Sequence, residues 1–119
     1  MKSKGGKKYD LEDRTFSFNE KVIRYVDSLP KRTSSFEIGK QLVRSAGSVG
    51  ANYIEANESL SKKDFIMRVK ISKKEVKESR YWLNLSSPTK NYDSDKIELM
   101  CETEELMKIF ATIIRNSSV

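Results

Sequence analysis

Residues 61–85 read SKKDFIMRVKISKKEVKESRYWLNL. Phe65, Val69, Ser72, Val76, Ser79 and Leu83 recur at alternating steps of four and three. That period is the seam of a helix packed in a left-handed bundle, and a strand would need alternation by two. Ser61 with Asp64 three residues later predicts an acidic variant of the capping box at the helix start. Ser86-Ser87-Pro88 stops the helix near Leu85, because the residue before a proline disfavours the helical region. A second apolar set, Met67, Ile71, Trp82 and Leu85, falls more than about 100° away from the seam at ~100° per residue. Between the two apolar faces stand Lys63, Lys70, Lys74 and Lys77.

Upstream, Ser34 with Glu37 fits a capping box for a second helix. Ile38, Leu42, Val49, Tyr53 and Ala56 share one of its faces, with Ser45 or Ala46 between Leu42 and Val49. Gly39, Val43, Ala46, Gly50 and Ile54 form an adjacent face of small or apolar residues. Each mid-helix glycine costs about 0.5–1 kcal/mol relative to alanine, so close approach of another backbone is the expected return. A first helix runs from about Asp10 to Leu29, with Leu11, Phe18, Val22, Val26 and Leu29 in one stripe and Pro30 after it. A fourth runs from about Ser94 to Arg115, with Ile97, Met100, Met107, Phe110 and Ile114 inward and Thr103 in the same seam. Residues 1–8, with four lysines and no acid, read as a flexible basic tail ahead of a single domain over 9–119. The expected fold is all-α: an up-down-up-down, left-handed four-helix bundle, assembling as a ring-like homo-oligomer.

Composition agrees. The 119 residues suffice for one domain, with 37% hydrophobic and 34% charged residues and only two prolines. The formal charge of +6 permits a polyanionic partner without requiring one. No apolar run approaches the ~18 residues of a membrane span. The basic start lacks a hydrophobic segment behind it, so it does not read as a secretory signal. The single Cys101 precludes an internal disulfide and suits a reducing compartment, and a cytoplasmic location is expected.

The segments YDLEDRTFSFNEKVIRYVDSLP, IGKQLVRSAGSVGANYIEA and SKKDFIMRVKISKKEVKESRYWLNL, in that order, resemble the small four-helix-bundle proteins encoded by intervening sequences within bacterial 23S ribosomal RNA genes. The resemblance covers nearly the whole chain from Tyr9 and extends to the accessory variability determinant of diversity-generating retroelements. Its most specific parts are Arg44–Ala56, the Ser61–Phe65 junction and the triplet Tyr81-Trp82-Leu83. It implies a bundle that assembles as a homopentamer and has no known enzymatic activity. For the retroelement relatives it implies a basic surface that engages nucleic acid and a reverse transcriptase. It carries over no catalytic residue.

The residues themselves also argue against catalysis. The chain has no histidine, which removes the commonest acid–base group and metal ligand. Cys101 lies among Glu98, Glu102, Glu104 and Glu105, the reverse of the electropositive setting of reactive cysteines. The acidic face Glu98, Glu102, Glu105 reads as solvated, without the Glu-x-x-His pairing of di-metal bundles. Gly47-Ser-Val-Gly50 lies inside a helix and not after a strand, so it is no phosphate loop. No enzyme, no cofactor and no metal site are expected.

Charge is unevenly distributed. Leu60–Arg80 holds eight basic and three acidic residues, net +5, whereas 91–110 is net −4. Lys63, Arg68, Lys70, Lys73, Lys74 and Lys77 form either a phosphate-binding stripe or a solvated face that pairs with the fourth helix of a neighbour. With lysine dominant and no aromatic interleaved on that face, any binding would be largely independent of sequence. Glu75 and Glu78 are either surface groups or buried ones paired with Arg44, Arg80 or Asn52. The second apolar faces (Gly39, Val43, Gly50 and Ile54; Met67, Ile71, Trp82 and Leu85) are assigned to contacts between copies, against the alternative of one broad internal core. The expected function is a basic, homo-oligomeric accessory protein for RNA or DNA. The alternative is a protein-interaction scaffold with no nucleic-acid role.

Overall fold

The computed structural model describes residues 7–117, and residues 1–6 of the basic tail lie outside it. The helices are α1 (Lys7–Asp27), α2 (Thr33–Asn57), α3 (Lys62–Leu85) and α4 (Asp93–Ser117), with a 3-10 turn at Lys90–Tyr92 leading into α4. No strand occurs among the described residues. The contacts run α1 on α2, α2 on α3 and α3 on α4, and the seam between α1 and α4 is the lightest of the four.

The α3 seam forms as its spacing predicts. Val69, Ser72, Val76, Ser79 and Leu83 are all buried, with Phe65 packed at the edge of the core. Serine at every second seam position keeps the seam narrow, so α2 comes close enough for hydroxyl groups to bridge the two helices. Ser72 Oγ donates to the Val49 carbonyl at 2.9 Å. Ser45 and Ser79 share a hydrogen bond at 2.9 Å, and Ser79 also bonds the Glu75 carbonyl. Buried hydroxyls left unpaired would each cost roughly 1–3 kcal/mol, so this pairing is what makes a serine-rich seam tolerable. Beneath the loop after α3, Tyr25 and Ser86 bond at 2.6 Å. Burial pushes the Tyr25 phenol up, with Ser86 opposing and Asp93 and Asp95 adding to the rise.

The glycines of α2 face α1 of the same chain. A Cβ on Gly39 would stand 2.8 Å from Val26 Cγ1, and one on Gly50 would stand 3.1 Å from Thr15 Oγ1. Gly39 is buried there. Its assignment to a contact between copies is corrected: Gly39 and Gly50 let α1 approach α2 within one subunit.

Three further expectations change. The core of α4 is Leu99, Thr103, Leu106 and Phe110, whereas Ile97 is 64% exposed. Met100, Met107 and Ile114 pack at the margin of that core. Both stripes have helical spacing, and the leucine stripe wins because it continues the strict four-three step through Phe110. At the start of α2, Thr33 is already helical and Arg32 is the cap, with no side-chain capping bond. Ser34 therefore lies inside the first turn, and Glu37 pairs with Lys40 at 3.8 Å instead of closing a box. Finally, the first helix begins at Lys7 and ends at Asp27. Ser61 does cap α3, accepting from the Asp64 amide at 3.1 Å.

Candidate nucleic-acid interface

With the α3 seam buried, its opposite side must face solvent, and that side carries the lysines. Lys63, Lys70, Lys74 and Lys77 step by seven, four and three, so they keep to one stripe, and all four are exposed. Lys73 is also exposed, toward one flank of the stripe. None of these five lysines makes an ion pair within 4.0 Å among the described residues. The stripe from Lys63 to Lys77 spans about 21 Å at 1.5 Å per residue.

The remaining basic residues of α3 are committed elsewhere. Arg68 is half-buried and donates to Asn52 Oδ1 on α2 at 3.0 Å, so it serves the α2–α3 contact rather than the lysine stripe. Arg80 turns to α4, donating to the Met100 carbonyl and Thr103 Oγ1, both at 3.2 Å, with Glu104 at 3.7 Å. The division follows from the helix period: 68 and 80 lie beside the seam, and 70, 74 and 77 lie opposite it.

Beside the stripe runs a cluster joining α2 to α3. Arg44 Nη2 donates to Glu78 Oε2 at 2.6 Å and to Glu75 Oε1 at 3.2 Å, and Trp82 Nε1 donates to the same Glu78 oxygen at 3.0 Å. Both glutamates are paired, with Arg44 as the donor. The Trp82 N–H first, and the Arg44 guanidinium second, hold the Glu78 carboxyl below its usual value. Trp82 packs against the core margin, and Ile71 is half-buried. Met67 and Leu85 remain 48% and 49% exposed, Ile54 is exposed and Val43 half-buried. Phe16 and Phe36, which the periodic reading left out, are more exposed still.

Tyr81 is the residue that reading missed on the lysine face. It follows Lys77 by four residues and Lys74 by seven, which places it on the same stripe, and it is 59% exposed. Its ring meets Trp82 edge to face, with centroids 4.9 Å apart and planes at 78°. The expectation that no aromatic stands on that face is corrected. The i+4 step from Lys77 was the available signal.

The clefts have a different character. Along α1 and α4 a cleft of about 540 Å³ is lined by Arg14, Lys21, Glu98, Cys101, Glu102 and neighbours. There Arg14 forks onto Glu102 with bonds of 2.7 and 2.8 Å. Among the described residues, no group of three His, Cys, Asp or Glu side chains could hold a metal ion. No helix among them is long and apolar enough to cross a membrane.

Comparison with known proteins agrees with this architecture. The family model for the 23S rRNA-intervening sequence protein matches residues 7–112. A crystal structure of a protein of unknown function from the S23 ribosomal protein family of Bacteroides thetaiotaomicron is similar at a TM-score of 0.77 and 30% identity. The similarity covers 87% of this chain and 97% of that one. Among curated proteins none matches the chain.

Proposed function

Since the chain belongs to the 23S rRNA-intervening sequence protein family, we propose that it is a non-enzymatic, homo-oligomeric accessory protein that binds the phosphate backbone of RNA or DNA without sequence specificity. The observation that carries this reading is the outward lysine stripe of α3, which is exposed and free of ion pairs among the described residues. A cation outside any close ion pair keeps most of its attraction for phosphate, and each contact releases a condensed counterion. The short connections between helices favour an up-down-up-down, left-handed arrangement in which each subunit presents one such stripe.

One stripe is a weak patch, and repetition around a ring would raise avidity without new contacts. Half-exposed Met67, Leu85 and Ile54 favour contact between copies, a pentamer by family resemblance. Lysines pooled in this way suit a cytoplasmic partner rich in phosphate.

The test is fluorescence anisotropy with random-sequence RNA and with duplex DNA, titrated with salt. Affinity should fall steeply, with a log–log slope for each lysine engaged of about −0.9 on duplex DNA and about −0.7 on single-stranded RNA. Lys70→Glu with Lys74→Glu should make that slope shallower by roughly one and a half to two. Absence of binding at low salt overturns the proposal. One observation favours a second reading in that event: Phe16, Phe36 and Ile97 stand exposed on helices other than α3, as on a scaffold that holds a protein partner.

A further inference from the structure

We propose that Tyr81 is a stacking platform for one unpaired base at the end of the α3 lysine row, so that the row prefers single-stranded to duplex nucleic acid. This inference rests on the phosphate-binding reading of the same row and adds the class of strand it takes.

Position is the first argument. Lys70, Lys74, Lys77 and Tyr81 are successive members of one outward stripe, and Tyr81 is one turn beyond the last lysine. A backbone lying along the lysines therefore brings its next base to the phenol ring.

Rigidity is the second. Tyr81 is braced edge to face by Trp82 at 4.9 Å. Trp82 is itself pinned, its indole N–H held by Glu78 at 3.0 Å and Glu78 held by Arg44 at 2.6 Å. A ring already held in place loses little freedom when a base settles on it. The brace thus holds a large, 59% exposed aromatic beside a cationic row.

Chemistry is the third. In a duplex the base faces are covered by their neighbours, and phosphates, sugars and base edges are offered to the protein but no open π-face. A single strand offers both phosphates and open π-faces, and aromatic stacking accepts any base. Lysines alone favour the duplex, whose charge density is higher, so a preference for single strands is assigned to Tyr81.

The protein carries its own reporter, since Trp82 is the only tryptophan in the chain and touches the proposed platform. Intact protein is mixed with fluorescein-labelled oligouridylate, with oligothymidylate, and with duplex RNA of the same length at fixed salt. Anisotropy gives affinity, and Trp82 emission is followed with unlabelled strands. The expected result is single-strand binding about tenfold tighter than duplex binding, with Trp82 emission altered by single strands only. Tyr81→Ala should lose about tenfold for single strands and less than twofold for duplex, and Tyr81→Phe should restore the preference. Tyr81 is exposed, so the variants should keep wild-type helicity by circular dichroism. Equal binding of both strand types, or an unchanged single-strand affinity in Tyr81→Ala, overturns the inference. If that binding still falls with salt and with Lys70→Glu, the lysine reading stands without it. Absence of binding to every strand overturns both.

Discussion

Gly39 and Gly47 lie eight residues apart on α2 and should respond oppositely to alanine. At Gly39 the new methyl would meet Val26 Cγ1 at 2.8 Å, and a β-branched side chain has little rotamer freedom to give way. The strain of overpacking, about 1–3 kcal/mol, outweighs the ~1 kcal/mol gained in helix propensity. Gly39→Ala should therefore lower the melting temperature, and Val26→Ala in the same chain should recover part of the loss. At Gly47 the nearest atom is Asn19 Nδ2 at 3.7 Å, an ordinary contact. Gly47→Ala should stabilise by roughly 0.5–1 kcal/mol, measured by denaturant unfolding. Glu78 offers a pH-dependent case. Its folded carboxyl titrates below the usual value of 4.5, so its contribution is complete above that value and lost as pH falls through the depressed one. The melting-temperature gap between wild type and Glu78→Gln should be full at neutral pH and should close on acidification below pH 4.5. A gap that stays constant down to pH 2 would show that the Trp82 and Arg44 bonds do not hold this carboxylate in solution.

At the scale of the element, α4 tests which of two helical stripes the core selects. Leu106→Ala should cost about 2–5 kcal/mol, whereas Ile97→Ala should fall within about 0.5 kcal/mol of wild type. Similarly, Ser61→Ala should cost roughly 1 kcal/mol through the lost cap of α3, and Ser34→Ala should cost little. These pairs mark what the sequence disclosed and what it hid. The α3 seam was legible because charged residues flank it and only one four-three series exists. In α4 apolar residues occupy both flanks, so Ile97, Met100 and Met107 compete with Leu99 and Leu106, and only the partner helices decide. The partnership of Arg44 with Glu75 and Glu78 was among the pairings the helix period allowed. The Ser34 box failed because Thr33 is helical, and a capping motif says nothing about where the preceding loop releases the chain. Tyr81 is harder to place from sequence, because a tyrosine suits a core margin as well as an outward stripe and only the i+4 step from Lys77 sets it among the lysines. The glycines showed that some backbone approaches closely, but not that it was α1 of the same chain.

For the whole molecule, the outer apolar residues set the expectation. Met67 and Leu85 are about half exposed and are not among the buried core residues. Leu85→Asp with Met67→Asp should leave helicity intact and shift the native mass from an oligomer toward a monomer, as read by sedimentation. A wild-type protein that sediments as a monomer removes the ring and the avidity it would supply.

Unequal seams also order the subunit in time. The hydroxyl bridges of Ser45, Ser72 and Ser79 lock α2 to α3, while α1 and α4 meet along the lightest contact. Transient opening should begin where α1 and α4 part, well before the central hairpin yields. Deuterium should thus enter the amides of the outer helices early and those around Val49 and Val76 last. A molecule built this way can breathe at its rim while its serine-zipped middle stays shut.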